Sequence, residues 1–261
     1  MCTVIILNEV HPRWPLVVAA NRDEFFGRPS TGPQVLIDQP RSIGGRDEQA
    51  GGTWMAVSAT GFFAALTNQR AAAGRDNSRR SRGEVVLDLM RRGTSPSARC
   101  WITGVDATEY NPFNIVYGTP GNVWVSHGVD KLKPQRLEKG IQVLPNDRLN
   151  SGGFPKVERA RALCRDMPLE DEAFFDHLKG ILTDDFCPKE FPVSTAQQIP
   201  VDLQQKLHAL QVKTPLYGTR SSSIFAVSNQ GGIRYLFADG PPDTTPFIEY
   251  SEYLEPEGLP I

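Results

Sequence analysis

A chain of 261 residues, 39% hydrophobic and 22% charged, has the composition of an ordinary globular protein and the length of one large domain or two small ones. A net charge of -2 removes the global electrostatic reason to expect nucleic acid or an anionic membrane as partner. No apolar run approaches the roughly 20 residues of a membrane span, and Glu9 and His11 interrupt the opening apolar stretch, so it does not read as a secretory signal. Four scattered cysteines without a C-x-x-C argue against a zinc site or a dense disulfide framework. A reducing, cytoplasmic location is the expectation.

The chain opens with strands. Thr3 to Val10 and Trp14 to Arg22 form one pair around a short turn, and Thr53 to Ala59 and Phe62 to Thr67 form a hairpin around Thr60 and Gly61. Side chains alternate faces along a strand. Leu16, Val18 and Ala20 share one face and Val17 and Ala19 the other, so this strand is predicted to be buried on both sides. Val4 and Ile6 against Ile5 and Leu7 say the same of the first strand. A sheet covered on both faces is a middle layer.

Amphipathic helices follow. Ser81 and Glu84 fit a capping box before Val85, Val86, Leu89 and Met90, with Gly93 as terminator. Pro155 to Met167 and Leu169 to Leu182 carry apolar residues at helical spacing. Between and after them lie strands at Phe113 to Tyr117, Val123 to Ser126, Ile141 to Leu144, Ser222 to Val227 and Ile233 to Phe237. The last two form a hairpin around Asn229 to Gly232, and the tail reads as an irregular strap. This order is not a βαβ alternation. Two stacked sheets with helices outside, an α+β fold in a single domain over 1–261, account for it. The glycines at 44, 45, 51 and 52 read as turns.

Polar residues gather at strand ends: "ANRDE", "LTNQR", "NPFNIVYG" and "GTRSSSIF". Each alone is explained by turn chemistry. Four together, with a cysteine directly after Met1, point to a site at one rim of a sheet. Removal of Met1 makes Cys2 an N-terminal residue that carries a thiol nucleophile and an amine base together. A thiolate is the reactive form, and an α-amine titrates near about 8. Acyl transfer also needs donors for an oxyanion. Asn68 and Asn114 can supply them, Arg22 or Arg220 can lower the thiol pKa, and Asp23 can hold the amine.

"NRDE", "RPS", "GGRDEQAGGTW", "ALTNQR" and "SRG" together resemble the NRDE family, also called the transport-and-Golgi-organisation protein two family. That family is similar in pattern to the N-terminal nucleophile hydrolases, which implies a four-layer αββα sandwich of two antiparallel sheets between helical layers. By the resemblance to cysteine acylases of that superfamily, Cys2 is the nucleophile, Asp23 binds its amine, Asn68 and Asn114 are oxyanion or positioning groups, and Arg220 sits near the thiol. Those acylases have Arg-Asn-x-Asp where this chain has Asn-Arg-Asp. In a regular strand Arg22 points away from Asn21 and Asp23, unless a bulge turns it inward.

The expected activity is hydrolysis of a small amide or acyl substrate, with no cofactor required and no metal site. The alternative implied by the family is a carrier of haem or an acyl-CoA-like lipid, with haem as cargo. Asn21, Arg22, Asp23, Glu24, Arg70, Arg79 and Arg80 are the candidate ligand contacts, and "RDNSRRSR" suits propionates or phosphates. His11, His127 or a cysteine thiolate are candidate haem ligands. "GGRDEQAGG" lacks the ending of a P-loop, and no H-E-x-x-H or G-x-S-x-G is present.

Overall fold

A computed structural model describes residues 2–69, 74, 76–193 and 199–255. In chain order the strands and helices begin with β1 (Cys2–Asn8), β2 (Leu16–Phe25), β3 (Ser30–Asp38), β4 (Arg41–Asp47), β5 (Met55–Ser58) and β6 (Phe63–Asn68). There follow α1 (Arg82–Arg92), α2 (Ser95–Ile102), β7 (Phe113–Thr119), β8 (Asn122–Gly128), β9 (Gln135–Arg136) and β10 (Gly140–Leu144). The chain continues with α3 (Pro155–Leu163), α4 (Asp171–Leu182), α5 (Val201–Lys206), β11 (Tyr217–Val227), β12 (Ile233–Ala238) and β13 (Ile248–Glu249).

The strands make two sheets. One runs β10-β1-β2-β11-β12-β13, and the other is a meander in sequence order from β3 to β9. Neighbouring strands pair antiparallel in both. Three apolar layers follow from side-chain alternation. Val4, Ile6, Leu16, Val18 and Ala20 meet Val57, Phe63, Ala65 and Val116 of the second sheet. Ile5, Leu7, Val17 and Ala19, one residue out of phase, pack under α3 and α4 against Val157, Ala160, Phe174 and Leu178. On the far side, Ala64, Leu66 and Ile115 receive Val85, Val86, Leu89 and Met90 of α1. This is the expected αββα sandwich. No helix among the described residues is long and apolar enough to cross a membrane.

Several local expectations are corrected. Strands β3 and β4 are not visible in the sequence pattern, because β3 contains Gly32 and Pro33 and its register shifts twice against β4. It is an edge strand, where proline is tolerated. Gly44 and Gly45 are not turn residues but lie within β4. A Cβ at Gly44 would meet the carbonyl of Met55, and one at Gly45 would meet the ring of Trp54. Ser81 does precede α1, but its side chain makes no capping bond. Glu84 turns instead to Arg80, which donates to it from Nε and Nη2 at 3.2 and 2.8 Å. Helix α2 begins with Ser95 and Pro96, a proline placement suited to a first turn, and is too short for its periodicity to stand out. The tail adds β13 to its sheet and lays Tyr250 and Leu254 against the core between the sheets.

Candidate active site

Cys2 begins β1, and its backbone lies opposite Arg22 of β2. Arg22 in turn lies opposite Ser221 of β11. Residues directly opposite in antiparallel strands share a face, so Cys2 and Arg22 both turn toward the second sheet. There they line a cleft of about 660 Å³. Strand β2 is regular here, and no bulge brings Arg22 inward. The bulge lies in β11, between Thr219 and Ser221, where Arg220 is the extra residue.

Asn21 and Asp23 occupy the other face of β2, and both are buried. Asn21 Nδ2 donates to the carbonyls of Leu182 and Leu210 at 2.9 and 3.0 Å, and its Oδ1 accepts from Ser222 Oγ at 2.6 Å. Asp23 Oδ1 accepts from Thr219 Oγ1 at 2.7 Å. Lys156, 2% exposed at the start of α3, donates to Thr3 Oγ1 at 3.3 Å on this same side. Burial raises the Asp23 pKa, while the nearby Lys156 cation and the Thr219 hydrogen bond pull it back. Asp23 still reaches the cleft at the end of the sheet.

Cys2 is 8% exposed. Burial raises its thiol pKa, Asp23 raises it further, and Arg22 opposes both. The thiol therefore rests protonated and needs a base to react. Asn68, at the end of β6, also lines the cleft. Its backbone carbonyl accepts from Asn146 Nδ2 at 2.8 Å, whereas its side-chain amide has no hydrogen-bond partner among the described residues. That leaves a donor open toward the cleft.

The other predicted residues divide. Glu24, Arg79 and Arg80 line the cleft with Cys2. Arg79 Nη1 donates to the Tyr110 carbonyl at 2.8 Å, and Arg80 is held by Glu84 and Glu109 at 2.8 and 2.7 Å. Asn114 is fully buried and away from the cleft lining. Its Nδ2 faces Thr67 Oγ1 and the carbonyls of Pro145 and Asp147, and its Oδ1 faces Gln69 and His127. No N–H of Asn114 is left to aim at an oxyanion. Arg220 likewise lies off the lining and is bound to Asp239 at 2.7 Å. Met1, Arg70 and Arg75 lie outside the described residues.

His11 and His127 do not line the cleft. The His11 ring meets the Leu169 carbonyl at 3.2 Å, and His127 is held by Asn114. Burial lowers the pKa of both rings. Among the described residues, no group of three or more His, Cys, Asp or Glu side chains could hold a metal ion.

Four contributors lie inside the motifs "RPS" and "GGRDEQAGGTW" but have no role assigned from the sequence: Trp54, Ser30, Arg28 and Asp47. Trp54 lies under the Arg22 guanidinium, 4.2 Å from ring centroid to Cζ. Arg22 Nη1 donates to Ser30 Oγ at 3.3 Å. Arg28 binds Asp47 at 2.8 Å and lies 3.9 Å from Glu24, while Asp47 Oδ1 accepts from the amides of Gln49 and Ala50, both at 3.1 Å. Residues of "NRDE", "RPS", "GGRDEQAGGTW", "ALTNQR" and "SRG" thus meet at the cleft, whereas "GTRSSSIF" does not line it. Gly52 and Gly83 close it. A Cβ on Gly52 would lie 2.7 Å from the Gly83 carbonyl carbon, so the loop and the start of α1 touch through backbone alone.

Comparison with solved structures agrees with this architecture. An ortholog of N-acylethanolamine-hydrolyzing acid amidase from Caenorhabditis elegans aligns with a TM-score of 0.51 and 10% identity, over 85% of this chain and 92% of that one. The C2A mutant of the conjugated bile acid hydrolase from Clostridium perfringens aligns with a TM-score of 0.51 and 9% identity, over 98% and 95%. The fold is that of the N-terminal nucleophile hydrolases. In sequence, the Transport and Golgi organization protein 2 homolog of Bos taurus is 27% identical over 90% of this chain and 91% of its own length. The Homo sapiens homolog is 25% identical over the same shares, and the Drosophila melanogaster protein is 30% identical over 44% of this chain and 45% of its own. The profile described as Transport and Golgi organisation 2 matches residues 1–237, and the chain belongs to that family.

Proposed function

We propose that this protein is a cysteine amidohydrolase of the N-terminal nucleophile type, acting on a small, polar amide or acyl compound. The observation that carries the reading is the position of Cys2. It stands at the first residue of a central strand, at the floor of a large polar cleft, beside a cation and an open amide donor. The C2A substitution in the bile acid hydrolase falls on a second-position cysteine as well.

With Met1 removed, the α-amine of Cys2 takes the thiol proton as Sγ attacks the carbonyl carbon. The Asn68 amide stabilises the oxyanion of the tetrahedral adduct. Collapse breaks the C–N bond, the amine leaves with the proton, and a thioester remains on Cys2. Water activated by the same α-amine then attacks the thioester, which releases the acid and restores the thiol. Asp23 holds the amine in place from the helix side of the sheet. The raised thiol pKa fits a nucleophile that is deprotonated only as it attacks.

The carrier reading draws less support. The lining of the cleft is rich in charged and amide groups, with Trp54 and Leu66 as its large apolar members. A haem macrocycle needs broad apolar walls, and the histidines proposed as iron ligands lie elsewhere.

Incubation with a panel of small N-acyl amides, followed by acid quench and mass spectrometry, tests the proposal. The expected result is a thioester adduct on the peptide that carries Cys2, absent in Cys2→Ala. Turnover that survives Cys2→Ala contradicts it. A saturable Soret shift on haem titration, unchanged in Cys2→Ala and lost in Asp23→Ala, would favour the carrier.

A further inference from the structure

Arg22 is more elaborately held than a counter-charge for a thiol requires. It is 5% exposed, and burial lowers its pKa. A buried guanidinium is costly unless an anion meets it. Its contacts among the described residues are uncharged: the Trp54 ring at 4.2 Å and Ser30 Oγ at 3.3 Å. An ionised Cys2, then Glu24 and Asp47, attract it from a distance, but Asp47 is bound to Arg28 at 2.8 Å and Glu24 lies 3.9 Å from that same guanidinium. Among the described residues no carboxylate forms an ion pair with Arg22. Its neighbours differ in this respect. Arg28 has Asp47, Arg79 has Asp76, and Arg80 has Glu84 and Glu109.

The orientation of this group is built from several parts of the sequence. Trp54 supports one face of the guanidinium, and Gly45 leaves the room that the Trp54 ring occupies. Ser30 fixes Nη1. Five N–H donors in a planar fork are thereby set at one angle, and among the described residues they make a single hydrogen bond. A spherical thiolate needs only a nearby positive charge, which a lysine supplies as well. A fixed fork matters when the partner is a planar oxyanion bound through two parallel hydrogen bonds.

We infer that Arg22 is the recognition group for a carboxylate carried by the ligand, so that the cleft selects amides bearing one negative charge a few bonds from the carbonyl that meets Cys2. One guanidinium without an ionic partner calls for one charge. Arg28, Arg79 and Arg80 each already have a carboxylate partner, which disfavours a phosphate dianion. The spacing suits this arrangement, since Cβ atoms of opposite residues such as Cys2 and Arg22 lie about 5 Å apart. The amide part of the inference rests on the proposed function, whereas the carboxylate subsite does not require Cys2 to react.

The test is calorimetric titration of the full chain in a Cys2→Ala background, which reads binding without turnover. The paired probes are N-acetylglycine and N-acetylglycinamide, alike in shape and different in charge, with inorganic phosphate as a third. The expected result is a preference for the carboxylate over the carboxamide of about tenfold or more, abolished by Arg22→Lys although the positive charge remains. Ser30→Ala, which loosens the fork without touching its charge, should reduce the preference several-fold and guards against an Arg22 variant that fails to fold. Equal binding of the two probes, a preference that survives Arg22→Lys, tighter binding of phosphate than of N-acetylglycine, or no binding of any probe overturns the inference. A carboxylate preference without amide hydrolysis in the unsubstituted protein leaves the subsite standing and removes the proposed function. Hydrolysis without the preference does the reverse.

Discussion

The two faces of β2 at the Asn21–Glu24 motif behave differently. Asn21 and Asp23 face α4, α3 and β11, where Asn21 is tied to Leu182, Leu210 and Ser222, and Asp23 accepts from Thr219 through Oδ1. Arg22 and Glu24 face the cleft, where Arg22 has spare donors and, among the described residues, a single hydrogen bond. A four-residue motif thus does two separable jobs by strand alternation alone. The closed face fixes the strands and helices together and sets the environment of the residue 2 backbone. In the proposed function, the open face meets the ligand. Conventional reasoning about a polar motif treats its members as one site, and here that would merge structural with chemical roles.

Substitutions on each face should separate them. Cys2→Ala, on the open face, is expected to lower acyl transfer by about 10⁴-fold or more while leaving the urea midpoint nearly unchanged. Asn21→Ala, on the closed face, removes hydrogen bonds to three buried partners. It should cost about 3 kcal/mol of stability in urea denaturation, at about 1 kcal/mol for each bond. An Asn21→Ala protein of full stability would mean that the closed face is not closed. Gly83→Ala tests the cleft wall, since its Cβ would lie 2.8 Å from Thr53 N. A loss of about 1–3 kcal/mol is expected, together with a narrower cleft that weakens ligand binding.

Asp23 gives the comparison a pH dependence. Burial raises its folded-state pKa above the ordinary carboxylate value of about 4. A carboxyl with a raised folded pKa binds its proton more tightly in the folded state, so it favours folding below the unfolded value. That contribution is lost as pH rises through the raised pKa. Asp23→Asn should therefore gain stability relative to the unsubstituted protein as pH increases from about 4 upward. A difference that stays constant with pH would show that Asp23 is not perturbed. The smallest effect is expected at Arg80. Its side chain is half exposed despite two ion pairs, and Arg80→Ala should change stability by about 0.5 kcal/mol or less.

The sandwich was legible in the sequence because a strand apolar on both faces must be covered on both sides, and a second sheet on one side with helices on the other does this. Val17 and Val18 sit in different cores, as their alternation required. Cys2, Asp23 and Asn68 were legible as a rim because polar residues end buried strands. What could not be read is contact across the sheets. Asn114 has the same local signature as Asn68, yet one is spent on Pro145 and Asp147 while the other lines the cleft. Nothing within either strand distinguishes them. Trp54, Gly45 and Ser30 come from separate segments, and their common object, Arg22, appears only when the two sheets are stacked. Strand β3 stayed hidden for a local reason, because Gly32, Pro33 and two register shifts erase the alternation on which strand recognition depends.

The central claim is that Cys2 is an N-terminal nucleophile, and it is tested most directly on protein isolated from its own cells. Intact mass, combined with condensation by 2-cyanobenzothiazole, a reagent for terminal 1,2-aminothiols, reads both conditions at once. The account predicts a mass lacking Met1 and a single condensation adduct mapped to Cys2. Complete retention of Met1, with no adduct, would contradict it.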